Sequence, residues 1–213
     1  MKGFFISFEG IEGTGKTTQA KLLAGYLSEK GYPTVLTEEP GGTSIGLRIR
    51  EVLLNVEHSE MHSLTELLLY NASRCQHVHE VIVPALEAGK VVITDRFSDS
   101  TLAYQGFGRG IDRELIAALD KIATGGLRPD LTLLLDISVE DGLRRNREAN
   151  KRDRLELEDV AFHERVRAGY LEMAREEQER IRIIVAEGGI AEIQGKAVEM
   201  VAAGLGISGS RCV

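Results

Sequence analysis

Phe4-Phe5-Ile6-Ser7-Phe8 runs into Gly10-Ile11-Glu12-Gly13-Thr14-Gly15-Lys16-Thr17, and a helical pattern follows. Strand, loop and helix come in the order that a phosphate cradle requires, with the Gly-x4-Gly-Lys-Thr spacing inside the loop. Gly10, Gly13 and Gly15 let the backbone bend so that successive N–H groups face an anion. A helix opening near Lys16 aims its positive dipole end at the same point. Lys16 adds a full charge for outer phosphates, and the Thr17 hydroxyl is a ligand for Mg²⁺. The cradle therefore spans Gly10, Ile11, Glu12, Gly13, Thr14, Gly15, Lys16, Thr17 and Thr18. The bland alternative is a glycine-rich turn with no anion to hold.

Outward from the loop, short β-rich runs alternate with longer helical patterns. That alternation predicts an α/β fold, a parallel sheet with helices on both faces. Five strands are expected, at Gly3–Phe8, Thr34–Thr37, Val91–Thr94, Leu131–Leu135 and Arg182–Val185, each apolar enough to be buried on both sides. Helical spacing groups Ala20, Leu23 and Leu27, then Leu64, Leu68, Ala72 and Cys75, then Ile116, Leu119 and Ala123. Phe162, Val166, Tyr170 and Met173 form a fourth face, and Ile193, Ala197 and Met200 a fifth. The tail 208–213 is polar and reads as disordered. No repeat or linker divides the chain, and 213 residues suit one domain.

Bulk properties narrow the partners. A net charge of −7 repels nucleic-acid polymers. Cys75 and Cys212 are too few and too far apart for a disulfide framework. No apolar run is long enough to span a bilayer, and the first residues lack a signal-peptide layout. These features predict a cytoplasmic protein with no membrane partner.

Two further signals fit phosphate chemistry. Val91-Val92-Ile93-Thr94-Asp95-Arg96 ends a buried-type strand in an acid that can hold Mg²⁺ beside the loop, and Arg96 offers a rigid fork to a second phosphate. Alone, Asp95 could equally cap a helix. Asp136 ends a similar strand but lacks an arginine neighbour, so it reads as structural. Arg144, Arg145, Arg147, Lys151, Arg152 and Arg154 form a dense basic stretch, read as a mobile lid over about 144–157 that excludes water from a phosphoryl transfer. A solvated helix face is the competing reading for most of its members.

Together with Glu38-Glu39-Pro40-Gly41-Gly42-Thr43, Tyr70-Asn71-Ala72-Ser73-Arg74, Asp95-Arg96-Phe97, Ser100-Thr101-Leu102-Ala103-Tyr104-Gln105-Gly106 and Asp153-Arg154-Leu155-Glu156, the loop makes the chain resemble the bacterial thymidylate kinases from about Gly3 to the last helix. The resemblance implies a P-loop nucleoside monophosphate kinase fold, a five-stranded parallel sheet flanked by helices with a small basic lid. It implies transfer of the γ-phosphoryl of ATP to dTMP with Mg²⁺, and a homodimer formed through long helices such as the one containing Leu64–Leu86. Arg74 would donate to thymine O4, Tyr70 would stack on the base, and Thr101 and Gln105 would read the remaining edge. Tyr104 would crowd a ribose 2′-OH, Glu12 would accept from the 3′-OH, and Arg96 would hold the acceptor phosphate with help from Arg50. Glu39 and Pro40 would floor the site, with Leu54 as an apolar wall. The metal would lie at Thr17 and Asp95. Lys16, Arg96, Arg145, Arg147 and Arg154 would meet the charge of the transferring group. Ala149 and Asn150 depart from the Arg-Gly expected there, which leaves the catalytic lid arginine open. The competing functions are a kinase for another acceptor and a nucleotide-switch NTPase. No Asn-Lys-x-Asp guanine-reading segment favours the latter.

Overall fold

The central strands are the ones buried along almost their whole length. β1 (Phe4–Glu9), β3 (Val91–Asp95) and β4 (Leu131–Asp136) form the middle of the sheet, with β2 (Thr34–Glu38) and β5 (Ile181–Val185) at its edges. The computed structural model describes residues 3–148 and 153–206. Its sheet is parallel throughout, in the order β2-β3-β1-β4-β5. All five expected strands are present, with small shifts at their ends. The edge strands depart from expectation in burial: Ile183 and Val185 of β5 are exposed, because an edge strand is covered less completely than a central one.

Successive side chains on a strand point to opposite faces, and two cores result. Ile6, Phe8, Val91 and Ile93 pack with Leu23, Leu133 and Val201 on one face. Phe5 and Val92 pack with Val78, Ile82 and Phe97 on the other. The helices are α1 (Lys16–Glu29), α2 (Ser44–Leu54), α3 (Ser63–His77), α4 (Val83–Glu87), α5 (Ser98–Thr101), α6 (Arg113–Thr124), α7 (Val139–Glu148), α8 (Val160–Glu176) and α9 (Ile190–Gly204). Two π-turned stretches, Val78–Ile82 and Leu102–Gly108, join α3 to α4 and extend α5. The first leads into Pro84, which lacks an N–H to donate; the second carries Tyr104 and Gln105 into the cleft.

One expected helix face is reversed. Leu64, Leu68 and Ala72 were grouped as a buried stripe, but they are exposed, and Cys75 is half-buried. The inward face of α3 carries Glu66, Leu67, Asn71, Ser73, Arg74 and His77. Those polar groups are buried because they satisfy one another and reach the cleft, so the apolar spacing marked the wrong side. Helix α2 lies outside the helical faces read from spacing, and α7 carries the solvated face that competes with the lid reading for Arg144.

The register brings Phe8, Glu38 and Asp95 level at the carboxyl edge of the sheet. β1 stands between β3 and β4, so the chain leaves it at the switch point where parallel sheets bind ligands. Helix α7 closes on the loop there. A Cβ on Gly142 would lie 2.6 Å from the Glu12 carbonyl oxygen, and a Cβ on Gly13 would collide with the Gly142 carbonyl.

Alanine at position 142 should therefore destabilise the protein even though alanine favours helix by about 1 kcal/mol over glycine. The collision is with backbone that cannot swing away, a cost of about 1–3 kcal/mol. A thermal midpoint lowered by about 2–4 °C per kcal/mol is expected for Gly142→Ala. An equal or higher midpoint would contradict the close contact between α7 and the loop.

Candidate active site

The phosphate loop has the backbone its glycines allow. Gly10, Gly13 and Gly15 sit at φ 137, 74 and 91°, values that side chains rarely tolerate. Gly15 caps α1, whose first N–H groups have no partner within the helix. Lys16 Nζ donates to the Gly10 and Ile11 carbonyls at 3.0 and 2.7 Å and reaches Thr14 Oγ1 at 3.3 Å. Burial, with repulsion from Arg96, pulls its ammonium down to about 8 against the opposing pull of Asp95, Glu12 and Glu9. A phosphate in the loop would restore it. Thr17 Oγ1 donates to Asp95 Oδ2, so a hydroxyl and a carboxylate meet beside the loop. Both are hard oxygen donors of the kind Mg²⁺ takes together with substrate phosphates and water. No cluster of three or more metal-ligating side chains occurs among the described residues.

Loop and acceptor wall open into one cleft of about 600 Å³. Arg96 stands between them. Its backbone is left-handed, φ 74°, alone among the described non-glycine residues, and its N–H donates to the Phe8 carbonyl. The guanidinium donates from Nη1 to Gly10 O at 2.9 Å and from Nη2 to Glu12 Oε1 at 3.0 Å, above the Tyr104 ring. Tyr104 donates to the same Glu12 oxygen at 2.6 Å. Burial would push the Glu12 carboxyl up, but His163, Arg96, Lys16 and Tyr104 together hold it well below the usual carboxylate range. His163 is buried, with Nδ1 3.4 Å from Glu12 Oε2, a pair not aligned as a hydrogen bond. Nothing in the sequence singled out His163.

The base side is a polar wall. Arg74, 2% exposed, donates from Nε to Glu39 Oε2 at 2.8 Å, from Nη1 to Thr101 Oγ1 at 2.9 Å and from Nη2 to Phe97 O at 3.1 Å. Glu39 also pairs with His77 Nδ1 at 2.9 Å, and His77 Nε2 meets Thr37 Oγ1. Arg74 thus stands behind Glu39 and Thr101, which line the cleft, and is not itself among the lining residues. Pro40, Arg50, Leu54, Tyr70, Tyr104 and Gln105 do line it. Arg50 Nη1 donates to Pro40 O at 2.7 Å.

The lid arginines diverge. Arg145 lines the cleft and donates from Nη1 to Ala186 O at 3.1 Å. Arg147 is exposed in the last turn of α7. Arg154 is buried and turned away from the cleft, donating from Nε to Leu53 O at 3.1 Å. Arg144 pairs with Asp141 on the surface, as a solvated helix face would. Residues 149–152, hence Lys151 and Arg152, lie outside the described residues, as does the tail 208–213. Asp136 takes two bonds from Arg167, in keeping with a structural role. The cleft also includes Glu38, Ser100, Asn146, Asp153, Leu155 and Glu156. No motif in the sequence marks Asn146.

Glu9, behind the loop, holds the chain that follows β3. It accepts from Phe97 N at 2.7 Å, Ser7 Oγ at 2.9 Å, Ser100 Oγ at 2.5 Å and Tyr170 OH at 2.9 Å. Burial and then Asp99 push its carboxyl up from 4.5 to about 7, against the Ser100, Arg96 and Phe97 contacts. A raised carboxyl binds its proton more tightly folded than unfolded. Its contribution to stability is therefore complete below about pH 4.5 and lost as pH rises to about 7. Glu9→Gln should flatten the fall in thermal midpoint across that interval; parallel profiles for the two proteins would refute the shift.

A family model described as thymidylate kinase matches residues 8–197. The thymidylate kinase of Geotalea uraniireducens (strain Rf4) is 51% identical over 209 residues, covering 95% of this chain and 98% of the relative. That of Geobacter sulfurreducens is 53% identical over 194 residues, covering 88% and 91%. The crystal structure of thymidylate kinase from Ehrlichia chaffeensis matches with a TM-score of 0.79 at 35% identity, covering 94% of this chain and 100% of that one. The parallel five-stranded sheet with its flanking helices is accordingly the P-loop nucleoside monophosphate kinase fold. A loop, a cleft and an arginine bridge of the kind described here, in a sequence matched across nearly its whole length, place the chain in the thymidylate kinase family.

Proposed function

We propose that this chain, acting as one P-loop kinase domain, transfers the γ-phosphoryl of ATP to dTMP, giving dTDP and ADP. One observation carries the reading: Arg96 binds the phosphate loop at Gly10 and Glu12 and donates to the Tyr104 hydroxyl of the opposite wall at 3.3 Å, so a single guanidinium joins both halves of the cleft. Gly10 to Thr18 hold the donor phosphates, with Lys16 on the outer ones. Thr17 and Asp95 would hold Mg²⁺, which would supply charge neutralisation to the donor phosphates. Arg96 and Arg50 orient the acceptor phosphate, whose oxygens are already nucleophilic and need no base. Positioning and charge neutralisation then supply the catalysis.

On the base side, Glu39, Pro40 and Leu54 shape the floor and Tyr70 offers a ring for stacking. Thr101 and Gln105 face the base edge, with Arg74 acting through Thr101 and Glu39. Tyr104 and Glu12 meet the sugar. Arg145 is the lid arginine best placed to meet the transferring charge, since it lines the cleft. Arg147 stands beside it on α7, while Arg154 acts from behind.

Lys16→Met should lower kcat by about 100-fold or more, the scale of removing one preorganised donor to developing charge, with the fold intact by circular dichroism. Arg96→Ala should raise the KM for dTMP and lower kcat together. A change confined to the KM for ATP would remove Arg96 from the acceptor site. A panel of monophosphates with coupled ADP detection tests the activity itself; dTMP should lead, and a better acceptor would overturn the substrate assignment.

The same reading includes a homodimer. Helices α2, α3 and α6 pack side by side and expose Ile45, Val52, Leu64, Leu68, Leu115 and Ile122. A patch of this kind on a small domain favours a protein partner, and a second copy satisfies it by symmetry. Light scattering should give twice the chain mass, and Leu68→Glu should shift it toward the monomer. A monomeric parent protein would refute the assembly.

A further inference from the structure

Glu66 lies on the inward face of α3 with no exposure to solvent, and no motif marks it in the sequence. Its carboxylate gathers donors from two separate segments, Gln105 and Arg109 on the stretch after α5 and Arg154 far along the chain. Gln105 Nε2 donates to Oε1 at 2.8 Å. Arg109 donates from Nε to Oε1 and from Nη2 to Oε2, each at 3.2 Å. Arg154 Nη2 lies 2.5 Å from Oε2 as an ion pair whose angles fall outside hydrogen-bond alignment. Burial alone would push this carboxyl up. Its bonds from Arg109 and Gln105, with the charges of Arg109 and Arg154, outweigh that and keep it ionised.

Two of these contacts lead to the cleft. A carboxylate can only accept, so it engages the nitrogen of the Gln105 amide. The acceptor atom Oε1 is then the end of the amide left for a ligand in the cleft that Gln105 lines. Thymine offers one donor, N3–H. The second contact reaches the lid. Arg154 points inward, its N–H donating to Leu54 O at 3.2 Å and its Nε to Leu53 O, while its neighbours Asp153, Leu155 and Glu156 line the cleft. Seating Arg154 therefore places those three residues. Arg109 closes the cluster, ion-paired to Glu158 at 2.6 Å and stacked over the Phe162 ring. Among the described residues no hydrogen bond joins Gln105 to Arg154 directly; Glu66 is what they share.

We propose that Glu66 is a positioning residue that couples base reading at Gln105 to the seating of the lid at Arg154. This rests on the dTMP kinase reading. Binding of the correct base fixes the Gln105 amide, which steadies the Glu66 carboxylate and with it the anchor of the lid. Loss of either arm then weakens the other, a form of coupling that packing alone does not produce.

A double-mutant cycle on Gln105→Ala and Arg154→Lys tests this, with kcat and the KM values for dTMP and ATP measured separately and thermal midpoints recorded for each protein. Arg154→Lys should raise the KM for dTMP by about five-fold although Arg154 does not line the cleft, leaving the KM for ATP nearly unchanged. The effect of the double variant on dTMP should fall short of the product of the single effects by about five-fold. In a Glu66→Gln background the two effects should multiply. Simple multiplication in the parent protein would overturn the proposal, and if Glu66→Gln fails to fold, the parent cycle decides alone. Absence of dTDP from the parent enzyme would overturn the underlying reading, and the coupling with it; dTDP formation with multiplying effects removes the coupling only.

Discussion

The site depends on one constrained residue. Arg96 is held in a left-handed conformation that costs a non-glycine residue roughly 1–2 kcal/mol. Its backbone N–H bonds to Phe8, its guanidinium to Gly10 and Glu12, and the next amide, Phe97 N–H, to Glu9. Each partner lies on β1 or the loop it feeds. The turn after β3 is thus tied to the strand beside it. Relaxing Arg96 to an ordinary conformation would carry its side chain away from the loop. Strain of this kind persists where surrounding contacts over-determine it, and such places concentrate at functional sites.

Around that bridge the interior is unusually polar on one side. The chain Thr37–His77–Glu39–Arg74–Thr101 runs behind the cleft, each member hydrogen-bonded to the next. A buried charge is tolerated only when paired and hydrogen-bonded, and Arg74 and Glu39 satisfy that condition together. Removing either would strand the other, so the wall behaves as a unit. Its rigidity keeps Thr101 and Glu39 at fixed positions for a ligand. Helix α3 supplies much of this wall, and its apolar stripe consequently faces outward, leaving Leu64 and Leu68 exposed.

The loop is rigid for a different reason. Gly13 and Gly142 bring two backbones into contact with no side chain between them. Helix α7 therefore rests on the phosphate cradle itself and leads directly into the basic stretch. One side of that stretch is therefore fixed at the loop, through Gly142. At the other, Arg154 is seated among Leu53, Leu54 and Glu66.

Much of the molecule was legible in the sequence. All five strands could be read, because β-rich runs suit a sheet sandwiched between helices, and the loop could be read because its glycines, lysine and threonine act through local backbone geometry. Asp95 and Arg96 were legible for the same reason: their place at the end of a strand sets where they stand. Arg154 was not. As one of six basic residues in a short stretch it looked like a cleft residue, and only the packing of Glu66 against it turned it inward. The face of α3 was misread because apolar spacing predicts burial only when polar residues lack partners, and here they find them across the chain. Glu66 and His163 carry no local pattern at all. Local chemistry, set by neighbours in sequence, was determined by the chain alone; which buried polar groups meet depends on segments as much as 161 positions apart, as for Glu9 and Tyr170, and that only the tertiary structure decided.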